Sequence, residues 1–177
     1  MKSTSTQYGS VAVTIHWLSA ILILALLGSG FRAASLKESA AKEAVLLVHV
    51  PLGATILVLT LLRVVWWRFA DRKPDPAETD PAWQKAAAKA VHVLFYVVIF
   101  AMAASGIGLI ALSGSGEILF GSSEAVLPNF ADYGPRAPHG LGARMVIALF
   151  IAHAGAALYH QIIKGDRILG RIWYGRE

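Results

Sequence analysis

The chain has no cysteine. Structural disulfides, thiolate metal sites and Cys-ligated iron–sulfur clusters are therefore excluded, as is the Cys-x-x-Cys-His attachment of a c-type haem. Any haem must be held by other side chains and without a thioether bond. Charge is also scarce. Asp, Glu, Lys and Arg make up 15% of the 177 residues, against 56% hydrophobic. With a mean hydropathy of +0.57, the composition leaves no room for a separate soluble domain.

What the chain does contain is four long apolar runs, each of which reaches the ~20 residues a crossing helix needs. Val11–Phe31 has His16 as its only ionisable group, and Val45–Trp67 contains His49 and Arg63. Ala90–Leu112 contains His92, and Leu141–Ile163 contains Arg144, His153 and His160. One domain over 1–177 is expected, with helices over about 11–33, 44–68, 84–112 and 139–164 and a loop over 113–138. The first run follows Lys2, as a signal segment would. It exceeds the roughly 7–15 residues of a signal core, holds a histidine, and has no small-residue cleavage site after Phe31. A retained helix is expected.

The net charge of +5 lies in the connections, so membrane lipid is the expected partner and nucleic acid is not. Lys2, six basic residues from Arg63 to Lys89, and four from Lys164 to Arg176 put eleven on one side. Arg32, Lys37, Lys42, Arg136 and Arg144 put five on the other. The positive-inside rule then places both termini and the middle connection in the cytoplasm. Short connections predict an all-α, integral membrane, up-down four-helix bundle. "DRKPDPAETDPAW" in the middle reads as a water-exposed turn. The stretch Ser113–Pro138 mixes Ile118, Leu119, Phe120, Phe130 and Tyr133 with turn residues. It is expected either to fold over the outer end, with a short helix, or to remain a loose loop.

All six histidines, His16, His49, His92, His139, His153 and His160, lie in or beside these runs. Inside a membrane such residues face the bundle interior and mark cofactors, relays or ion paths. His139 and His153 are 14 residues apart, which on a helix is roughly 21 Å of rise and about −40° of rotation. One helix can thus supply a ligand to each of two stacked cofactors. His49 matches His139 in depth at the outer level, and His16 matches His153 at the inner level. Iron held by paired imidazoles is six-coordinate and suited to electron transfer. Depth alone leaves His160 open as an alternative to His153. A span from His139 to His160 is roughly 31 Å, which would push the two groups to opposite surfaces; His153 is preferred on that ground. His160 is then available to a second redox molecule. His92 is a candidate ligand, a propionate partner, a quinone contact, or a packed side chain bonded to a carbonyl.

Arg63 follows His49 by 14 residues, one level deeper on the same face, where its fork could bind an inner propionate. Snorkelling to the surface is the other reading. Arg144, five residues past His139, is placed near the outer haem. Gly53, one turn after His49, could let a flat macrocycle approach the backbone. Small-residue helix packing explains it equally.

"VAVTIHWLSAILI", "HVPLGATILVLTLLRVVWW", "KAVHVLFYVVIFAMAASGIGLI" and "HGLGARMVIALFIAHAGAALYHQIIKGD" together resemble the bacterial cytochrome b561 family over nearly the whole chain. The resemblance implies an inner-membrane protein enclosing two haem b groups, ligated by His16 with His153 and His49 with His139. It also implies a superoxide oxidase that passes electrons from periplasmic superoxide to ubiquinone, with His160 and Lys164 at the quinone. His92 matches a family histidine without an assigned role. The outer connections depart from a strongly basic collecting face. Glu117, Glu124 and Asp132 oppose Arg136, and Glu38 and Glu43 accompany Arg32, Lys37 and Lys42. Steering of an anion must then come from local placement. Two other functions are compatible with the sequence. One is a membrane-anchor cytochrome subunit joining a dehydrogenase or hydrogenase to the quinone pool. The other is a non-redox histidine relay, which would show no haem absorbance.

Overall fold

The computed structural model describes residues 2–75 and 81–175, in which there is no strand. The helices are α1 (Ser10–Ser35), α2 (Ser39–Val65), α3 (Ala82–Ser113), α4 (Ser115–Phe120) and α5 (Arg136–Leu158). α2 runs on through a wider, π-type turn at Trp66–Ala70, and α5 through another at Tyr159–Lys164. Counted with these extensions, four helices of 26, 32, 32 and 29 residues are long and apolar enough to cross a membrane.

Three helices, α2, α3 and α5, begin five or more residues before their apolar runs. α2 starts at Ser39 because Ala40, Ala41, Lys42 and Glu43 are strong helix formers without being a hydrophobic stretch. α5 starts at Arg136 because Pro138 falls in the first turn, where its missing N–H has no helical partner to lose. Gly114 takes a left-handed conformation (φ 67°), which ends α3 and turns the chain directly into α4. The central part of the proline-rich middle connection, 76–80, and Arg176 of the basic tail lie outside the described residues.

Three residues separate α1 from α2, so the two are antiparallel neighbours that pack along their length, as do α3 and α5. Contacts between these two pairs are fewer and run mainly through α2 and α3. Buried apolar side chains are few among the described residues, and include Val13, Ile56, Val98, Leu109 and Val146. Ile21, Val97, Ile107 and Ile151 point outward, as residues do when lipid rather than protein covers them.

The two ends differ. At the loop end, α4 rests on α3 and α2, with Leu119 and Ser115 buried. At the terminal end, three segments are stitched together. The Ser3 backbone N–H and hydroxyl donate to Asp71 at 2.8–3.1 Å. Tyr8 N–H donates to the Arg171 carbonyl at 3.0 Å, and the Arg171 guanidinium donates to the Thr6 and Asp75 carbonyls. Trp17 Nε1 donates to the Ile172 carbonyl at 2.9 Å. All five tryptophans, Trp17, Trp66, Trp67, Trp83 and Trp173, lie toward this end, the placement that a membrane–water interface favours.

Candidate functional site

Five of the six histidines converge on the seam between the helix pairs. His49 of α2 and His139 of α5 face each other near the loop end, ring centres 6.3 Å apart and planes at 74°. His16 of α1 and His153 of α5 do so nearer the terminal end, at 6.2 Å and 55°. Each couple joins one helix of the first pair to α5 of the second. His92 lies 5.2 Å from His153 and hydrogen-bonds the Ala88 carbonyl.

The loop-end rings are braced from behind. Ser29 Oγ lies 2.8 Å from His49 Nδ1, and Ser105 Oγ lies 3.0 Å from His139 Nδ1. Each serine belongs to the helix packed tightly against the histidine's own. Beside each serine is a glycine, Gly30 or Gly106. A Cβ there would approach His49 Cε1 to 3.1 Å and His139 Cε1 to 3.3 Å. The two rings therefore lie directly against a neighbouring backbone.

The terminal-end couple sits in a cavity of ≈ 140 Å³ that is also lined by Arg63, Trp67, His92 and Tyr8. Arg63 is thus brought to the inner histidines. Burial pushes the Tyr8 hydroxyl above its usual range, against the opposing pull of Arg171 and Arg63. Beyond this cavity, His160 Nδ1 meets Asp166 Oδ2 at 2.5 Å. Lys164 Nζ lies 4.0 Å from the same oxygen and donates to Gln84 Oε1 at 3.3 Å. The π-type turn and left-handed Gly165 (φ 69°) fold Asp166 back onto His160. His160 and Lys164 are brought together, but outside the cavity of His16 and His153.

One expected residue stands differently. Arg144 is exposed; five residues on, it is rotated about 140° from His139 and does not join that ring. Arg136 is nearer, since its guanidinium lies 3.1 Å from where a Gly140 Cβ would stand. A Cβ on Gly53 would meet nothing within 4 Å, so the α2 backbone beside His49 is open to a flat group. Ser29, Ser105, Asp166 and Gln84 were not singled out from the sequence. The repeated Ser-Gly step and the Lys-Gly-Asp turn were the available signals.

A family model described as prokaryotic cytochrome b561 matches residues 7–175. The chain belongs to the prokaryotic cytochrome b561 family. It is 28% identical over 180 residues to cytochrome b561 homolog 2 of Escherichia coli (strain K12), covering 96% of this chain and 93% of that protein. It is equally similar to cytochrome b561 homolog 1 of the same strain over 176 residues, covering 97% and 99%. It is also 28% identical to cytochrome b562 of Cereibacter sphaeroides over 170 residues, covering 93% and 94%.

Membership makes the chain a membrane b-type cytochrome that transfers electrons, and it implies haem b. The donor set fits that group. Among the described residues no three His, Asp or Glu form a group that could hold a metal ion by themselves. Two facing imidazoles suit a metal that arrives with four ligands of its own. A metal bound about 2.0 Å from an imidazole nitrogen on each side would fit between rings spaced as in either couple, 6.2 and 6.3 Å between centres. His92 and His153 are closer than either couple. In this cytochrome b561 the open backbone at Gly53 and the guanidinium of Arg63 fit a macrocycle face and its carboxylates.

Proposed function

We propose that the chain holds two haem b groups, ligated by His49 with His139 and by His16 with His153, and carries electrons across the bacterial inner membrane. The proposed donor is periplasmic superoxide and the acceptor is ubiquinone. The observation that carries this reading is the recurrence of the trans-imidazole spacing at two levels roughly 21 Å apart along α5. When bound, each haem supplies one-electron exchange at its iron. The described basic residues, ten toward the terminal end and five toward the loop end, support cytoplasmic termini.

The protein's own groups divide the remaining tasks. Arg63 offers a bidentate donor fork to propionate beside His16 and His153. Arg144, exposed on the loop-end half of α5, adds positive charge to the periplasmic face. Arg136 places a cation within one turn of His139, which supplies local attraction for an anion where the outer face as a whole is near neutral. At the terminal end, His160, Lys164 and Gln84 present polar groups to a quinone. The Asp166 carboxylate holds a proton on His160 Nδ1 and so directs Nε2 toward the ligand.

Haem-to-protein stoichiometry and a reduced-minus-oxidised spectrum of the purified chain test the reading: two b haems are expected. Superoxide should reduce them rapidly, and added quinone should reoxidise them. A colourless preparation after expression with ample haem ends the proposal, and inertness toward superoxide removes that donor. A second reading, the anchor subunit of a dehydrogenase or hydrogenase, is favoured by the apolar loop-end residues Phe120 and Val126, 55% and 75% exposed. Copurification with a large subunit would decide for it.

A further inference from the structure

The hydrogen bonds behind the loop-end rings fix more than orientation. Ser29 Oγ lies 2.7 Å from the Ala25 carbonyl, and Ser105 Oγ lies 3.0 Å from the Met102 carbonyl. A carbonyl can only accept, so each hydroxyl proton is directed there. With its proton pointed at that carbonyl, the serine oxygen presents a lone pair to the imidazole, and Nδ1 carries the hydrogen. At His139 the Met102 carbonyl, 3.2 Å from Nδ1, requires the same tautomer. In both rings Nε2 is then left as the bare donor atom.

The terminal-end couple is built differently. Neither His16 nor His153 has a ring hydrogen bond among the described residues. Their rings contact Trp17, His92 and Phe95 instead, and Arg63 shares their cavity. An acceptor on Nδ1–H makes an imidazole a stronger donor, which favours the ferric state. A nearby guanidinium disfavours that state, because ferric iron carries the larger positive charge.

Resting on the two-haem reading above, we propose that Ser29 and Ser105 are positioning residues that fix the Nε2-ligating tautomer of His49 and His139 and hold the loop-end haem at a lower potential than the terminal-end haem. Electrons entering at the loop end then run downhill to the quinone side. The direction of transfer is written into two serines and an arginine rather than into the ligands, which are chemically alike.

Spectroelectrochemical titration of the purified chain tests this, with the loop-end haem assigned from a His153→Ala chain that retains it alone. Ser29→Ala should raise the loop-end midpoint by at least a threefold change in the reduced-to-oxidised ratio at fixed potential. The other haem should not move, and Ser29→Thr should restore the wild-type value. Ser105→Ala should shift the same haem less, because the Met102 carbonyl remains. Arg63→Gln should lower only the terminal-end midpoint. An unchanged loop-end midpoint in Ser29→Ala overturns the proposal, as does an equal shift of both haems or a failure of threonine to restore. If Ser29→Ala binds no loop-end haem, threonine and valine at 29 decide. Occupancy with threonine alone supports the hydroxyl's role, and equal loss with both overturns it. A wild-type chain with fewer than two haems overturns the underlying reading itself, before any variant is compared.

Discussion

At the loop end, two histidines are each pressed against a neighbouring helix by a serine–glycine step. At the terminal end, two histidines at the same spacing stand in an aromatic cavity beside an arginine. The same pair of side chains is thus set in a hydrogen-bonding frame at one level and in a cationic one at the other. Under the two-haem proposal, this difference would let a bundle with few charges make two alike ligand sets unequal, by varying what lies behind the ring and not the ring. It also assigns separate work to the two ends. The terminal end adds a further polar cluster, at His160, Lys164, Asp166 and Gln84.

The largest effect that could break the comparison is loss of one level. His49→Ala or His139→Ala should leave one haem per chain, with the terminal-end spectrum intact. His16→Ala or His153→Ala should do the reverse, and His92→Ala should keep both; haem-to-protein ratios read all five. Next in size is the close approach at the glycines. Gly30→Ala should push His49 off its seat, since overpacking of a tight contact costs about 1–3 kcal/mol. Gly106→Ala should cost less, because its Cβ clears His139 by slightly more. Both should lower occupancy and thermal stability of the loop-end haem only.

A smaller change should separate the ends by chemistry. Asp166→Asn should keep both haems and slow quinone reduction about tenfold, as expected for losing a charge-assisted hydrogen bond of about 1.5 kcal/mol. His160→Ala should slow it further. A stopped-flow assay with excess reductant reads this step separately from haem reduction.

The smallest effect concerns the stitching of the terminal end. Burial raises the Asp71 carboxyl, but hydrogen bonds from Ser3, Arg72 and Trp66 outweigh it and leave the group below the usual carboxylate range. A depressed folded value means these contacts contribute fully above the ordinary range and are lost as pH falls through the folded value. Hydrogen exchange at the amides of Ser3 to Gly9 should therefore quicken only under acid, and Asp71→Ala should quicken it at neutral pH.

Much of this architecture was legible in the sequence, because bilayer thickness and helical rise are fixed lengths. The four spans followed from run lengths, and the placing of His139 and His153 one level apart followed from 14 residues of rise. The polar helix starts at Ser39 and Arg136 were less visible, since hydropathy marks the apolar core and not the helix. Ser29 and Ser105 were hidden for another reason. A serine beside a glycine in a membrane helix has the composition of ordinary close packing, and only the partner helix shows that its oxygen meets a ring. Asp166 was obscured because its contact depends on the left-handed backbone of Gly165. The strap made by Ser3 to Gly9 has no periodicity at all.

The placing of His139 and His153 on one helix bears on biogenesis. α5 is the fourth of the described spans in chain order, and in the two-haem proposal it contributes a histidine at both depths. Under that proposal neither haem could be held before α5 has been made. A ribosome-stalled chain ending before Arg136 should insert three spans and stay colourless.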